Sequence, residues 1–406
     1  MSVEDAARGI GLEPVFQPIV TLADGAVIGY EALARWPSQT SEKPPAVFDH
    51  AREIGEIDNL DEQCVNVAVE HALESQLPDT TVLFVNCESS TTYRTGLADD
   101  LLSLTAGRFT VIFEITERGL LSSPRSFMDK LDAIREDGFL IALDDVGSTP
   151  ESAALLDIVG PDVIKLDLSL AQSQPNDQQA QTLCSVVAHR ERTGAIILAE
   201  GIETDEHLEQ ALAMGADLGQ GLRFGKPGDL KPTDSHGVWR PFRVRRSDFE
   251  AKAPSPFTLI EGHHRVRTAR KETVIAFSRH IENQAIRATD PPIVLTALQR
   301  AEFLTPGTLQ RYVELASRAP MVAIFGLQVP PGLDAGVRGV PLATDDPLCA
   351  EWTVVALGPQ TAAALIAREA SNAEGIDDTE RRFDFVITFD RALVTAAAQN
   401  LLSRIS

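Results

Sequence analysis

The chain has 406 residues, a formal net charge of −23, 44% hydrophobic and 23% charged residues, a composition ordinary for a soluble globular protein and a length that allows two domains. The acidic balance argues against general nucleic-acid binding, which needs a basic footprint, and no run of 18 apolar residues suggests a membrane span. The opening MSVEDAARGIGLEP carries acids and no apolar segment, and Cys64, Cys87, Cys184 and Cys349 are far apart with no CxxC pair, so the expectation is a cytoplasmic protein with free thiols.

VFQPIV (15–20), the turn ADG and AVIGYEALARW (26–36) read as a β-hairpin. Its second run holds Glu31 inside a nearly continuous apolar stretch, and a buried carboxylate needs a partner; Arg35 on the rim is one candidate. Gln17 and Arg35 flank the hairpin, are expected to face the same mouth, and are the candidate substrate contacts. Residues 46–78 are helical in pattern, with Leu60, Val65, Val69 and Leu73 near one face and Pro78 as the stop. A strand at 81–86 ends in Asn86. A helix near 91–104 follows, then a strand at 109–117 carrying Glu114 and Glu117, and a helix at 124–137 closed by Gly138. Next come IALDDVG (141–147), a strand at 162–170 with Lys165 inside, a helix at 176–192, a strand at 194–203 with Glu200, a helix at 205–214, and Gln220 between glycines.

Strand and helix alternate at least six times, which argues for parallel β/α units. A polar group at so many strand ends favours a closed TIM-like (β/α)8 barrel, where catalytic groups sit at the carboxyl ends of the strands; an open doubly wound sheet is the alternative. Asp144 and Asp145 stand side by side at such an end. Two adjacent carboxylates are costly together unless something cationic lies between them, and a divalent metal is the economical candidate. Because side chains alternate along a strand, both reach one site only where the strand is ending and twisting. The candidate ligands are all carboxylates or amides, which suits Mg2+ or Mn2+.

The stretches YEALARW, FVN, FEITE, ALDDVG, DVIKLD, AEGIE and GQG–FGKP occur in the order seen in the EAL family. By this resemblance the chain is similar, over roughly residues 13–230, to phosphodiesterases that hydrolyse cyclic di-GMP to the linear dinucleotide pGpG with two Mg2+ or Mn2+ ions. The resemblance implies that Glu31, Asn86, Glu114 and Asp144 ligate one metal and that Asp145 and Glu200 serve a second. It further implies that Lys165 orients the attacking water, Gln220 completes the site, Glu117 holds the loop after Asp145, and Arg35 contacts a substrate phosphate. Ca2+, larger and tolerant of irregular geometry, is expected to bind and inhibit. The sequence also departs from the family: Val146 replaces an aromatic, and the next loop reads GSTPES (147–152), with Pro150, in place of the usual Gly-Thr-Gly-Tyr-Ser. Cys87-Glu88-Ser89 stands where Leu/Val-Ser-Pro is usual. In the family that loop is associated with dimerisation, so a homodimer through the barrel is an open expectation. Two readings remain: a hydrolase, favoured by the full ligand set, and a cyclic di-GMP receptor, favoured by the altered loop.

The expected layout is a barrel over 1–235, a Pro- and charge-rich linker over 236–271 and a smaller α/β domain over 272–406. RPFRVRR and HHRVRTARK make the joint locally basic. In the last part, helices are expected at 273–286, after 305–308, at 361–370 and at 391–404, with strands at 292–299, 321–329, 351–358 and 383–390. SRHIE and RRFDFVITFD resemble the DICT domain, a presumed sensory module found beside cyclic di-GMP enzymes. Asp345, Asp346 and Glu351 read as an acidic surface loop. This half shows no nucleophile–base constellation and is read as regulatory.

Overall fold

The Asp-Gly turn opens the fold. Gly25, at φ 73°, turns the chain, Asp24 accepts from Ala26 N at 3.1 Å, and β1 (Glu13–Thr21) runs back antiparallel along β2 (Val27–Arg35). The computed structural model of the protein describes residues 2–37, 43–75, 77–93, 102–105, 107–116, 118–149, 151–230, 237, 252–262, 264–333, 335–370 and 380–406. From β2 onward each strand pairs in parallel with the next: β3 (Thr81–Asn86), β4 (Phe109–Thr116), β5 (Leu140–Val146), β6 (Val163–Leu166), β7 (Ile196–Ala199) and β8 (Leu218–Gln220). β8 then pairs antiparallel with β1, Ile19 opposite Gln220, and the eight strands form a closed barrel.

All eight strands send apolar side chains to one buried cluster, among them Ile19, Phe84, Ile112, Ala142, Val163, Leu198 and Leu218. Along a strand, residues two apart face the same side. Two positions further on from Phe84, Ile112, Ala142, Val163, Leu198 and Leu218 stand Asn86, Glu114, Asp144, Lys165, Glu200 and Gln220. The period of two thus lays a polar ring directly above an apolar plug.

The chain forms two compact units, the first comprising 1–120, 129–152 and 161–245, the second 121–128, 153–160 and 246–406. The second unit is built on a seven-stranded sheet of β9 (Arg267–Arg270), β10 (Ile293–Arg300), β11 (Val322–Leu327), β12 (Val337–Pro341), β13 (Glu351–Leu357), β14 (Ala362–Glu369) and β15 (Arg382–Thr388). Their spatial order is β12-β11-β10-β13-β14-β15-β9, parallel across β10 to β12 and antiparallel elsewhere. Helices Lys271–Arg287 and Pro306–Ala316 supply Val274, Ile281, Tyr312 and Leu315 to its core, and helix Arg391–Leu402 is buried along most of its length.

Several expectations are corrected. Residues 361–370 form no helix: Ala362–Glu369 is strand β14, hydrogen-bonded on both sides by β13 and β15. Its alanines favour a helix in isolation, but two flanking ladders and complete burial of Ala364 to Ala367 override propensity. β6 stops at Leu166, because Asp167 caps a helix Leu168–Gln172 by accepting from Ser169 N. The span expected as linker, 236–271, contains a helix Pro256–Ile260 and edge strand β9. Glu351 is no surface acid; it is 1% exposed and accepts from Ser255 Oγ and from Phe257 N. Strand β12 was not anticipated. Of the helix expected near 91–104, the described residues 91–93 are not helical and Leu102–Thr105 is a 3-10 turn. Most of that stretch, Glu117, Pro150 and the basic segment 240–246 lie outside the described residues.

Candidate active site

Lys165 is the hub of the polar ring. It is 1% exposed, and its Nζ lies 2.8 Å from Glu114 Oε1, 2.8 Å from Glu200 Oε1, 3.0 Å from Asp144 Oδ1 and 3.7 Å from Glu31 Oε1. Glu31 pairs with Lys165 and not with Arg35. Two amides also hold Glu31: Asn86 Nδ2 donates to Oε1 at 3.0 Å and Gln220 Nε2 to Oε2 at 2.5 Å. Gln17 accepts from the same Gln220 nitrogen at 3.1 Å and donates to Gly225 O at 3.2 Å. With their nitrogens so engaged, Asn86 and Gln220 keep their carbonyl oxygens as acceptors.

The neighbouring acids reach one place through a bulge. The pairing of β5 with β6 shifts register between Leu143 and Val146, and Asp145 takes a left-handed backbone, φ 56°. The extra residue breaks the strict alternation that would send Asp144 and Asp145 to opposite faces. Asp144, Asp145 and Glu200 each offer an oxygen, all within 4.8 Å of one another.

The charges do not balance within this group. Burial raises the Glu114 carboxyl well above its usual range, with Glu31 and Asp144 adding to the effect and Lys165 opposing it. Glu200 is pushed up to about 8, again chiefly by burial. Burial acts on Glu31 too, but Lys165 and the hydrogen bonds outweigh it and its carboxyl ends below the ordinary value. Burial disfavours the charge on Lys165, yet the surrounding carboxylates hold its ammonium well above its usual range. Glu114 Oε2 and Gln220 Oε1 are buried with no hydrogen-bond partner. Buried acceptors without donors, crowded carboxylates and an oxygen-only donor set together fit hard divalent cations.

Beside this group lies a cavity of about 420 Å³ whose wall includes Arg35, Asn86, Glu114 and Asp144. Arg35 is in the wall without an acidic partner at the ring; its Nη1 donates to Ala34 O at 2.8 Å. Arg52 and Arg118 join it in lining the cavity, and neither stood out in the sequence. Also missed was the buried pair of Asp61, in the same wall, and Lys130, 6% and 3% exposed and 3.7 Å apart. Asp61 accepts from Glu88 N at 2.8 Å and Thr91 Oγ1 at 2.5 Å, and Lys130 donates to Thr91 Oγ1 at 2.7 Å, which ties down the segment following Asn86. A signal existed: Asp61 stands on the apolar stripe of Leu60, Val65, Ala68, Val69 and Ala72.

Fold and site define a β/α barrel whose strand ends gather carboxylates around one lysine. The chain belongs to the EAL domain family, whose profile matches residues 2–227; the profile of the sensory domain in diguanylate cyclases and two-component systems (DICT) matches 259–370. It is 32% identical over 238 residues to the cyclic di-GMP phosphodiesterase RocR of Pseudomonas aeruginosa, covering 56% of this chain and 60% of that one. It is 30% identical over 223 residues to the probable cyclic di-GMP phosphodiesterase PdeG of Escherichia coli, covering 53% and 44%. The chain therefore spans about half the length of these curated relatives. Among solved structures, BlrP1 of Klebsiella pneumoniae in a calcium and cyclic di-GMP complex aligns at TM-score 0.47 and 28% identity, over 54% of this chain and 57% of that one.

Proposed function

We propose that the protein hydrolyses cyclic di-GMP to linear pGpG with two Mg2+ or Mn2+ ions, under the control of its second unit. The convergence of Glu31, Glu114, Asp144 and Glu200 on Lys165, with acceptor oxygens left undonated, carries this reading. In this assignment Glu31, Asn86, Glu114 and Asp144 hold one ion, and Asp145 and Glu200 hold the second. When bound, such a pair acidifies a water and offsets the charge that develops on an anionic phosphodiester. Lys165 keeps the carboxylates converged and, staying protonated, orients the water by donation. Gln220 positions Glu31, Gln17 braces Gln220, and Arg35 meets a phosphate at the cavity wall. Glu117 is assigned to the loop after Asp145 on sequence grounds.

Purified protein is incubated with cyclic di-GMP and Mg2+ or Mn2+, and the products are separated by chromatography. Linear product is expected, and Glu31→Ala is expected to lower kcat by about 100-fold or more, because one ligand of a two-metal site is lost. Full activity in Glu31→Ala sinks the ligand assignment. Binding of the nucleotide without product supports the second reading, a receptor, which the departures at Val146 and 147–152 favour.

A further inference from the structure

The proposed reaction leaves a second cavity unused. It has a volume of about 340 Å³ and lies wholly inside the second unit. Its wall is cationic in an otherwise acidic chain: Lys271, Arg279, Arg311 and Arg381 stand against Glu282 and Glu302. Glu282, 2% exposed, is already engaged, accepting from Ser278 Oγ at 2.8 Å, Tyr312 OH at 3.1 Å and Arg311 Nε at 2.9 Å. Arg381 is aimed by Glu369, with Nε–Oε1 2.7 Å and Nη2–Oε2 2.8 Å, and by Gln299 Oε1 at 3.2 Å. Arg279 is exposed at the cavity and has no ion-pair partner among the described residues.

The same wall is aromatic. Trp352 and Phe383 meet edge to face at 5.7 Å, and Lys271 Nζ and the Arg381 guanidinium stand 5.3 and 5.2 Å from the Phe303 ring. Trp352 Nε1 is buried with no acceptor. Gln299, 7% exposed, holds a left-handed backbone at φ 64° where β10 shifts register against β11, and its amide donates to Ala350 O at 3.2 Å. A residue other than glycine is kept in that conformation only where its surroundings over-determine it, and such positions gather at ligand sites.

We propose that this cavity binds a small anion carrying one flat ring system, a carboxylate or a phosphate monoester. The anion meets Arg279 and Lys271, and the ring lies against Trp352 and Phe303. A neutral ring leaves Arg279 without a counter-charge, and a bare anion leaves the aromatic wall wet. The volume lies at the small end of ligand pockets, about 300–1,000 Å³, so one ring system with one charged group fills it.

Isothermal titration calorimetry of the full chain decides this with 4-hydroxybenzoate as the carboxylate probe and GMP as the phosphate probe, against phenol and inorganic phosphate as half-ligands. At least one ring anion is expected to bind, with phenol and phosphate each about tenfold weaker or more. Arg279→Glu and Trp352→Leu are each expected to weaken the bound probe about tenfold or more. Whichever arm binds names the anionic group. Arg279 is exposed, so its variant folds and decides the outcome even if Trp352→Leu does not. Absence of binding by both ring anions up to millimolar concentration, affinity unchanged by Arg279→Glu, or inorganic phosphate binding as tightly as GMP overturns the proposal.

Discussion

At the scale of single residues, the site is defined by too many carboxylates for one lysine. Glu114 and Glu200 respond by holding protons: the first is raised well above its ordinary range and the second to about 8, from an ordinary 4.5. An acid raised in the folded state binds more protons there than in the unfolded chain between those two values. Stability of the metal-free protein is therefore expected to fall as pH rises from about 5 to about 8. A divalent ion must displace the same protons, so its stabilising effect should grow across the same window. Thermal melts in EDTA and in Mn2+ at pH 5 to 8 check both slopes; a Tm in EDTA that rises with pH contradicts the assignment. The ligand oxygens are also permissive in kind. Ca2+ takes oxygen ligands at longer distances and in irregular geometry, so it should support cyclic di-GMP binding while blocking turnover. Turnover with Ca2+ comparable to that with Mg2+ contradicts this.

Among the elements, β14 shows how context selects structure. Its run Ala-Ala-Ala-Leu-Ile-Ala satisfies a helix by propensity, yet it lies between two antiparallel partners with Leu365 fully buried. Leu365→Ala should cost about 2–5 kcal/mol through the cavity it leaves. Urea denaturation is the measurement, and a change below about 0.5 kcal/mol would mean the strand is not part of a packed core. The bulge in β5 is the counterpart in the barrel. It is a local irregularity that lets Asp144 and Asp145 serve one place, where a regular strand would separate them.

For the whole molecule, the connection of the units runs through the chain itself. Residues 153–160, which belong to the second unit, continue directly from 147–152, the stretch that follows Asp145. Within that unit Arg391 donates to the Asp157 carboxylate and to Gly358 O at 2.8 Å, and Gln399 Nε2 donates to Ile158 O at 2.8 Å. Under the proposed function, Arg391→Ala frees one end of a stretch whose other end carries two ligands. It is expected to change kcat about threefold or more with KM nearly constant, because loop placement governs chemistry more than nucleotide contact. Steady-state kinetics of the full chain measure both constants, and unchanged values show that the second unit does not act through this stretch.

The sequence by itself determined the β/α barrel and the strand-end positions of its polar residues. Asn86, Glu114, Asp144, Lys165, Glu200 and Gln220 each follow an apolar run, and alternation along strands is a local rule that needs no knowledge of neighbours. The Asp-Gly turn and Gly138 after its helix (φ 85°) were legible for the same reason. Only the tertiary structure decided the rest. Whether 361–370 is helix or strand depends on β13 and β15, which supply its hydrogen bonds from both sides. Lys130 reaches Thr91 across 39 residues of chain, and Glu31 reaches Gln220 across 189, so no window of sequence contains either pair. Local periodicity fixes which way a side chain points; which charge it meets there is set by parts of the chain that come together only on folding.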